Sequence, residues 1–291
     1  MARTRFAAAC SSLPTVFARL GGMPRQRLGQ HFLSDAGWRA RIGRAIGAAS
    51  PESGRGTSKR VWVEIGAGHG EMTRLLAASG GRVIAVELDP KLLQSLQSVE
   101  REFPLVQKVG GDILSLALDK ITGGSRFSVY GNLPYSITSP ILHRLFEYAA
   151  KIEEIYIVIQ LEVAARLTAH PGTRAYGYLS VLTQYHAKPE IVLRIPRGAF
   201  RPPPKVTSAL VHLRLPGERG SLGIQDEPRF FAFIKQCFGQ KRKKLTNNLR
   251  SLAAPAVVED ALDSAGARRD ARAEQLSVAQ FAELYRRLIS A

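Results

Sequence analysis

Short apolar runs alternate with amphipathic stretches over most of the chain, and this pattern predicts strands and helices in turn. The predicted buried strands cover residues 61–65, 82–87, 105–109, 127–130 and 155–159. The helical patterns cover residues 42–49, 71–78, a stretch beginning at Pro90, 140–149 and 161–169. Since strands and helices follow one another in βαβ order, the sequence predicts a parallel sheet with helices on both faces.

The pattern changes after about residue 215. Residues 216–227 are polar and contain Gly and Pro, which predicts a linker. Only helical patterns follow, at residues 230–238, 245–252, 257–265 and 278–289. We therefore predict an α/β domain over residues 25–215 and a small all-helical domain over residues 216–291.

The N-terminal segment is basic and carries no acidic residue before Asp35. Its composition is compatible with an organellar transit peptide, with a disordered basic arm, or with an extension ahead of a start at Met23. It lacks the long apolar block of a secretory signal. We interpret residues 1–24 as a disordered basic extension, and the sequence does not decide the fate of residues 1–22.

The charge balance points to a polyanionic partner. The 291 residues include 41 Lys and Arg against 24 Asp and Glu, which gives a net charge of +17 and a pI near 10.4. Nucleic acid is favoured over a membrane, because no apolar run reaches the roughly 18–20 residues that span a bilayer. The alternative explanation for the positive charge is solubility, or a GC-rich genome that places Arg beside Ala and Gly.

A basic run lies at the start of one of the C-terminal helical patterns, and a basic run is usually only a solvated face. In a chain of this net charge we favour contact with nucleic-acid phosphates. The candidate RNA-binding residues are Lys205, Lys241, Arg242, Lys243, Lys244 and Arg250.

Cysteine and histidine usage argues against disulfide and metal cross-links. Cys10 and Cys237 are the only cysteines and lie far apart, so no disulfide framework is expected and a reducing compartment fits. Cys237 stands in an aromatic-rich helical pattern and is interpreted as a small core residue. The six histidines show no metal-ligand spacing, and we predict no metal. We predict a monomer in the cytoplasm.

A glycine-containing loop follows the first predicted strand, and Gly66 and Gly68 would let the backbone approach a ligand closely. NAD-binding domains use a similar loop, but their third glycine would fall at Glu71, a poor neighbour for a pyrophosphate. Glu87 ends the second strand and can accept hydrogen bonds from ribose hydroxyls, and Asp112 could accept one from an adenine amine. Either acid alone could be an ordinary surface acid. Together with the loop they suggest an adenosyl ligand without phosphates, and S-adenosylmethionine fits.

The sequence Gly131-Asn132-Leu133-Pro134-Tyr135 follows another predicted strand. Taken alone it is compatible with an ordinary β-turn. It also suits methylation of a nucleobase amine, because the Asn132 amide oxygen and the Leu133 carbonyl could each accept one hydrogen of adenine N6. Pro134 would stiffen the turn, and Tyr135 offers a face on which an unstacked base can lie.

These motifs, in this order, resemble the ribosomal RNA adenine dimethyltransferase family, and within it the bacterial KsgA (RsmA) small-subunit branch. The resemblance runs from about Gln26 almost to the end of the chain. The matching segments are 27–33, 63–68, 86–89, 111–112, 131–135, 200–209, 240–244 and 273–278. Two departures are His31, where the family often has Asn, and Ala67, where Pro is common.

The resemblance implies a Rossmann-like class I S-adenosylmethionine-dependent methyltransferase sheet with a small C-terminal all-helical domain. It implies dimethylation at N6 of two adjacent adenines in the 3′-terminal hairpin loop of 16S rRNA, within a pre-30S particle during ribosome biogenesis. The implied catalytic residues are Asn132, Leu133, Pro134, Tyr135 and Phe200, the last of which would close on the base. The implied cofactor-binding residues are His31, Leu33, Gly66, Gly68, Glu87, Asp112 and Asn132.

Two rivals remain. The resistance-type enzymes that methylate large-subunit rRNA share most of these motifs, but Leu133 and the proline-rich string at 200–209 favour the small-subunit branch. The other rival is a non-catalytic assembly or transcription factor on the same fold. We expect such a factor to lose residues such as Asn132 or Glu87, which are present here.

Overall fold

The computed structural model describes residues 31–48, 60–134, 137–240 and 242–289. The chain divides into residues 1–30 and 31–291, and every described residue belongs to the second unit. The predictions for the N-terminal extension, Cys10, Tyr135 and Lys241 therefore lie outside the described residues.

The strands are β1 Phe32–Leu33, β2 Val61–Ile65, β3 Arg82–Glu87, β4 Val106–Gly110, β5 Phe127–Asn132, β6 Ile152–Gln160, β7 Lys188–Ile195, β8 Phe200–Arg201 and β9 Ser208–Arg214. The first helices are α1 Ala36–Ala45, α2 Glu71–Ala78, α3 Pro90–Ser95, α4 Gln97–Glu102, α5 Leu118–Ile121, α6 Thr138–Phe146, α7 Leu161–Leu167 and α8 Tyr178–His186. The C-terminal helices are α9 Arg219–Leu222, α10 Glu227–Cys237, α11 Leu245–Asn248, α12 Pro255–Ser264 and α13 Val278–Ile289.

Seven strands form one sheet in the order β4-β3-β2-β5-β6-β9-β7. The first five strands in this order, from β4 through β3, β2 and β5 to β6, are parallel to one another, as the alternation of strands and helices predicts. The sequence analysis did not predict β7 and β9, which extend the sheet at the other edge, where β9 pairs antiparallel with both β6 and β7. No helix long enough for a parallel crossover separates β7 from β9, so the chain returns antiparallel.

Local signals placed several elements correctly. Helix α2 and strand β3 begin and end at the predicted residues. Pro90 opens α3, and the Asp89 carboxylate caps it by accepting a hydrogen bond of 2.8 Å from the Lys91 amide. Strand order reverses between β2 and β5, so a crevice is expected at the carboxyl ends of these neighbouring strands.

The C-terminal part is helical, as predicted, although α9 lies within the stretch predicted to be a linker. Its apolar cluster includes Phe230, Leu262 and Phe281. Tyr176 and Tyr185, which precede the predicted boundary, belong to the same cluster. The boundary at residue 215 therefore stays a prediction.

Cys237 is fully buried in that cluster, and burial raises the pKa of its thiol. It is the core residue that its aromatic surroundings predict. Among the described helices, none combines the length and the apolar character needed to cross a bilayer.

Candidate active site

The predicted site residues lie at the carboxyl ends of neighbouring strands. Ile65, the last residue of β2, pairs with Val86 of β3 on one side and with Gly131 of β5 on the other. The glycine loop, Glu87 and Asn132 follow directly from these three strand ends. The parallel register therefore brings together residues that are distant in sequence, at the point where an open α/β sheet binds its ligands.

In the glycine loop after β2, two residues have a backbone conformation that residues other than glycine rarely adopt. Gly66 and Gly68 have φ values of +71° and +58°, in the left-handed region. The Gly66 amide donates to the Val86 carbonyl at 2.9 Å, which ties the loop to β3. A Cβ at Gly68 would also lie 3.1 Å from the Phe32 ring. Gly68 therefore meets both a conformational and a steric requirement.

The Glu87 carboxylate is 4% exposed and organises the turn that follows β3. One of its oxygens accepts a hydrogen bond from the Gly68 amide at 2.8 Å. The other accepts bonds of 2.9 Å from the amides of Leu88 and Asp89. A carboxylate has about four acceptor positions. Three are occupied by backbone donors, which leaves capacity for a ligand hydroxyl.

Asp112 lies beside this group, because the Gly111 amide donates to the Glu87 carbonyl at 3.0 Å. The Asp112 side chain is exposed, and its Oδ1 accepts a hydrogen bond of 2.9 Å from the Leu114 amide. Its other carboxylate oxygen accepts no hydrogen bond from the described residues. It is therefore available to a donor such as an adenine amine.

The Asn132 side chain has a fixed orientation. Its Nδ2 donates to the backbone carbonyl of His31 at 2.8 Å, and because a carbonyl only accepts, the amide nitrogen must occupy this position. Within the described ranges no donor reaches its Oδ1. Asn132 thus keeps its acceptor oxygen for another group.

The residues after Asn132 provide a second free acceptor. The Leu133 amide donates to the Val158 carbonyl at 3.0 Å, while its own carbonyl receives no hydrogen bond from any described residue. The Pro134 carbonyl accepts from the Thr138 hydroxyl at 3.3 Å, which anchors the turn to the start of α6. Two consecutive residues, Asn132 and Leu133, thus each keep one carbonyl-type acceptor for another group.

Of the two aromatic residues predicted to contact the base, the structure describes only Phe200. Tyr135 lies outside the described residues. Phe200 is fully buried, pairs with Leu33 across β1 and β8, and belongs to an apolar cluster with Ile195 and Leu210. A base could stack on this ring only if its neighbours moved, so its predicted contact with a base stays a prediction.

A segment just before α1 joins the separate parts of the site. In the strap, as we call residues 31–35, Phe32 and Leu33 pair with Arg201 and Phe200. The Ser34 amide also donates to the Ala199 carbonyl at 3.0 Å. The Phe32 ring lies 5.1 Å from the His69 ring of the glycine loop. Motif matching named two residues of this segment, but nothing local in the sequence indicated its partners.

Sequence reasoning gave no role to Glu64, a buried acid two residues before Gly66. It is 2% exposed, and the Thr73 hydroxyl donates to its carboxylate at 2.6 Å. Burial raises the pKa of Glu64 to about 8, and the Thr73 hydrogen bond partly opposes this rise. Glu64 is therefore largely neutral at neutral pH. An acid in an otherwise apolar strand is the signal that could have identified it.

The predicted RNA-binding residues are exposed cations. The described ones are Lys205, Arg242, Lys243, Lys244 and Arg250. None of them forms an ion pair with a carboxylate of the described chain, whereas Arg268 and Arg269 pair with Asp270 and Asp263 at 2.9 and 2.7 Å. Cations without such an ion pair are available to contact phosphates. The parts of the chain that the structure describes contain no cluster of three candidate metal ligands.

Comparison with known proteins gives consistent matches. The model of the family described as ribosomal RNA adenine dimethylase matches residues 23–290. A ribosomal RNA small subunit methyltransferase A from Acidobacterium capsulatum is 40% identical over 274 residues, which is 93% of each chain.

Two crystal structures are similar over most of their length. The 23S rRNA methyltransferase ErmE has a TM-score of 0.65 at 29% identity and covers 88% of this chain and 99% of its own. A dimethyladenosine transferase from Plasmodium falciparum has a TM-score of 0.71 at 23% identity, over 87% and 96% of the two chains, and supports the fold. These matches confirm the predicted methyltransferase sheet with its helical C-terminal part, and the chain belongs to the ribosomal RNA adenine dimethylase family.

Proposed function

We propose that this protein transfers methyl groups from S-adenosylmethionine to N6 of two adjacent adenines in the 3′-terminal hairpin loop of 16S rRNA. The observation that carries the proposal is the pair of acceptors at Asn132 and Leu133. The Asn132 amide nitrogen is occupied by the His31 carbonyl, which leaves the amide oxygen for the substrate. This arrangement suits an amine with two hydrogens to donate.

The residues around Glu87 fit S-adenosylmethionine, which supplies an electrophilic methyl group when bound. The carboxylate of Glu87 has acceptor capacity for a ribose hydroxyl, and Asp112 has a free oxygen for the adenine amine. Gly66 and Gly68 leave no side chain between the loop backbone and a ligand. His31 and Leu33 complete the proposed cofactor site.

The reacting amine needs alignment more than a strong base. The N6 lone pair of adenine is delocalised into the ring, which makes the amine a poor nucleophile. Hydrogen bonds from N6 to Asn132 Oδ1 and to the Leu133 carbonyl would draw electron density onto nitrogen and aim the lone pair at the methyl carbon. Pro134 keeps the turn rigid, and Tyr135 and Phe200 are the proposed aromatic contacts of the base.

The preference for small-subunit rRNA rests on the sequence comparisons. Identity is 40% with the small-subunit relative against 29% with the 23S rRNA enzyme. The five exposed cations without ion pairs would bind rRNA phosphates. We further propose that the protein acts as a monomer in the cytoplasm, on a pre-30S particle during ribosome biogenesis.

The test uses tritiated S-adenosylmethionine with small subunits from a strain that lacks the modification, and large subunits as the control. We expect label as N6,N6-dimethyladenosine in the 3′-terminal hairpin of 16S rRNA. Label in large-subunit rRNA would instead assign the protein to the resistance-type enzymes that methylate large-subunit rRNA. Binding without label on either RNA would support a non-catalytic factor and overturn the proposal.

A further inference from the structure

Besides the pairing of β1 with β8, two hydrogen bonds that meet at His31 join described parts of the site. The backbone carbonyl of His31 accepts from Asn132 Nδ2 at 2.8 Å. The imidazole Nδ1 of the same residue lies 2.8 Å from the Pro202 carbonyl. Because that carbonyl only accepts, Nδ1 carries the proton and donates. His31 therefore links the turn after β5 to the proline-rich segment, and Pro202 lies 171 positions after His31 in the chain.

From this geometry we infer that the His31 imidazole is a positioning residue for Asn132, an inference that rests on the proposed methyl transfer. The side chain anchors residue 31 to Pro202, and the anchored residue presents the carbonyl that holds the Asn132 amide nitrogen. The polarity of the amide follows from this contact. With its nitrogen held, Asn132 offers only an oxygen to the substrate.

Loss of the imidazole anchor has a defined chemical consequence. If residue 31 moves, the Asn132 amide loses a fixed partner and rotates, so that its NH2 group faces the substrate amine for part of the time. A donor facing a donor does not align the N6 lone pair. A small displacement of a catalytic group can lower a rate by about a hundredfold. The effect falls on the chemical step.

The substitutions of His31 differ in the number of bonds between Cα and the atom that could donate to the Pro202 carbonyl. The Nδ2 atom of Asn is as many bonds from Cα as Nδ1 of His, so His31→Asn keeps a donor for Pro202. His31→Gln places its nitrogen one bond further out, at the distance of Nε2, and does not replace the anchor. His31→Ala removes the donor. His170→Ala, at an exposed histidine of the loop after α7, is the matched control.

We expect His31→Ala and His31→Gln to lower kcat by between about tenfold and about a hundredfold. The KM for S-adenosylmethionine, which reports the proposed cofactor contact of residue 31, should change by a smaller factor than kcat, since the loss concerns mainly the alignment of the amine. His31→Asn and His170→Ala should keep kcat near that of wild type. If His31→Ala does not fold, as judged by its thermal transition, His31→Gln carries the comparison.

A direct readout of the Asn132 amide is available. The chain has three asparagines, Asn132, Asn247 and Asn248, so labelling with 15N-asparagine gives three side-chain amide signals. In wild type the Asn132 NH2 protons should exchange slowly with solvent, and in His31→Gln they should exchange faster. Asn248 Nδ2, which donates to the Cys237 carbonyl at 2.6 Å, is the internal control and should not change.

Three results would overturn the inference. The first is full kcat in both His31→Ala and His31→Gln. The second is a raised KM for S-adenosylmethionine with unchanged kcat, which would make His31 a cofactor contact only. The third is unchanged exchange of the Asn132 amide in His31→Gln. The first two results require an active wild-type enzyme and the third does not, whereas inactivity of the wild type on small subunits would count against the proposed function itself.

Discussion

Asn132 is the residue on which the proposed chemistry depends most directly. Asn132→Ala removes the acceptor for N6, and we expect kcat to fall by about a hundredfold or more. RNA affinity should stay close to that of wild type, because the amide aligns the amine and does not contact phosphates. Single-turnover methylation and a filter-binding titration measure the two effects separately. Near-normal methylation by this variant would refute the mechanism.

Asn132→Asp is a more conservative variant that tests the role of the amide nitrogen, since Asp has nearly the same shape as Asn. Its carboxylate keeps an acceptor for N6 but cannot donate to the His31 carbonyl, which would then face another oxygen at the 2.8 Å that now separates donor and acceptor. We therefore expect Asn132→Asp to be inactive as well.

Glu87 should control affinity for the cofactor. Glu87→Ala removes the proposed ribose contact and also the acceptor for the amides of Gly68, Leu88 and Asp89. We expect the Kd for S-adenosylmethionine, measured by calorimetry, to rise by about tenfold or more, since hydrogen bonds to charged groups contribute about 1.5–3 kcal/mol. Glu162→Ala, at an exposed ion-paired glutamate, should leave the Kd unchanged. An unchanged Kd in Glu87→Ala would contradict the assignment.

Glu64 should make stability depend on pH. Its pKa is raised to about 8 in the folded protein from an ordinary value of 4.5, so the folded state holds a proton that the unfolded state releases. Its contribution to stability is full below pH 4.5 and is lost as the pH rises to about 8. Glu64→Gln keeps an acceptor for the Thr73 hydroxyl and carries no charge. We expect the urea midpoint of Glu64→Gln to lie further above that of wild type at pH 8.5 than at pH 5.5. The same difference between the two proteins at both pH values would contradict the prediction.

At the scale of elements, the basic segment before α11 should govern the salt dependence of RNA binding. Replacing Arg242, Lys243 and Lys244 with Gln should reduce the slope of log K against log salt by about two, because each phosphate contact contributes roughly 0.7–0.9. The matched control replaces Arg268, Arg269 and Arg287, which form ion pairs with carboxylates. If the two triple variants show the same slope, the segment is only a solvated face.

Elements with strong local signals were predictable, and those made by distant pairing were not. Helix α13 begins and ends where its apolar period predicts, and α3 begins at its predicted Asp89 cap. Strands β1 and β8 have two residues each and exist because they pair with one another across the fold. A two-residue strand has no period to detect, so this pairing could not be predicted from local patterns.

At the scale of the whole molecule, the site combines residues from remote parts of the chain. Motifs at strand ends identified Glu87 and Asn132, because each stands directly after a recognisable apolar run. The contact between His31 and Pro202 could not be predicted, since it depends on how the strap lies against the sheet. The burial of Phe200 likewise depends on side chains contributed by several elements.

The link between residues 31 and 202 also has a consequence for biosynthesis. The His31 end of the contact is made early in translation and the Pro202 end late, because the ribosome synthesises the chain from its N-terminus. Until Pro202 has left the exit tunnel, the contact between the imidazole and the Pro202 carbonyl cannot form. From the inference above, we expect a nascent chain that already exposes its glycine loop but lacks this contact to methylate RNA about tenfold to a hundredfold more slowly than the complete protein. Incomplete chains on polysomes should therefore modify the ribosomal RNA around them slowly, and the full rate should be reached only after residue 202 has emerged.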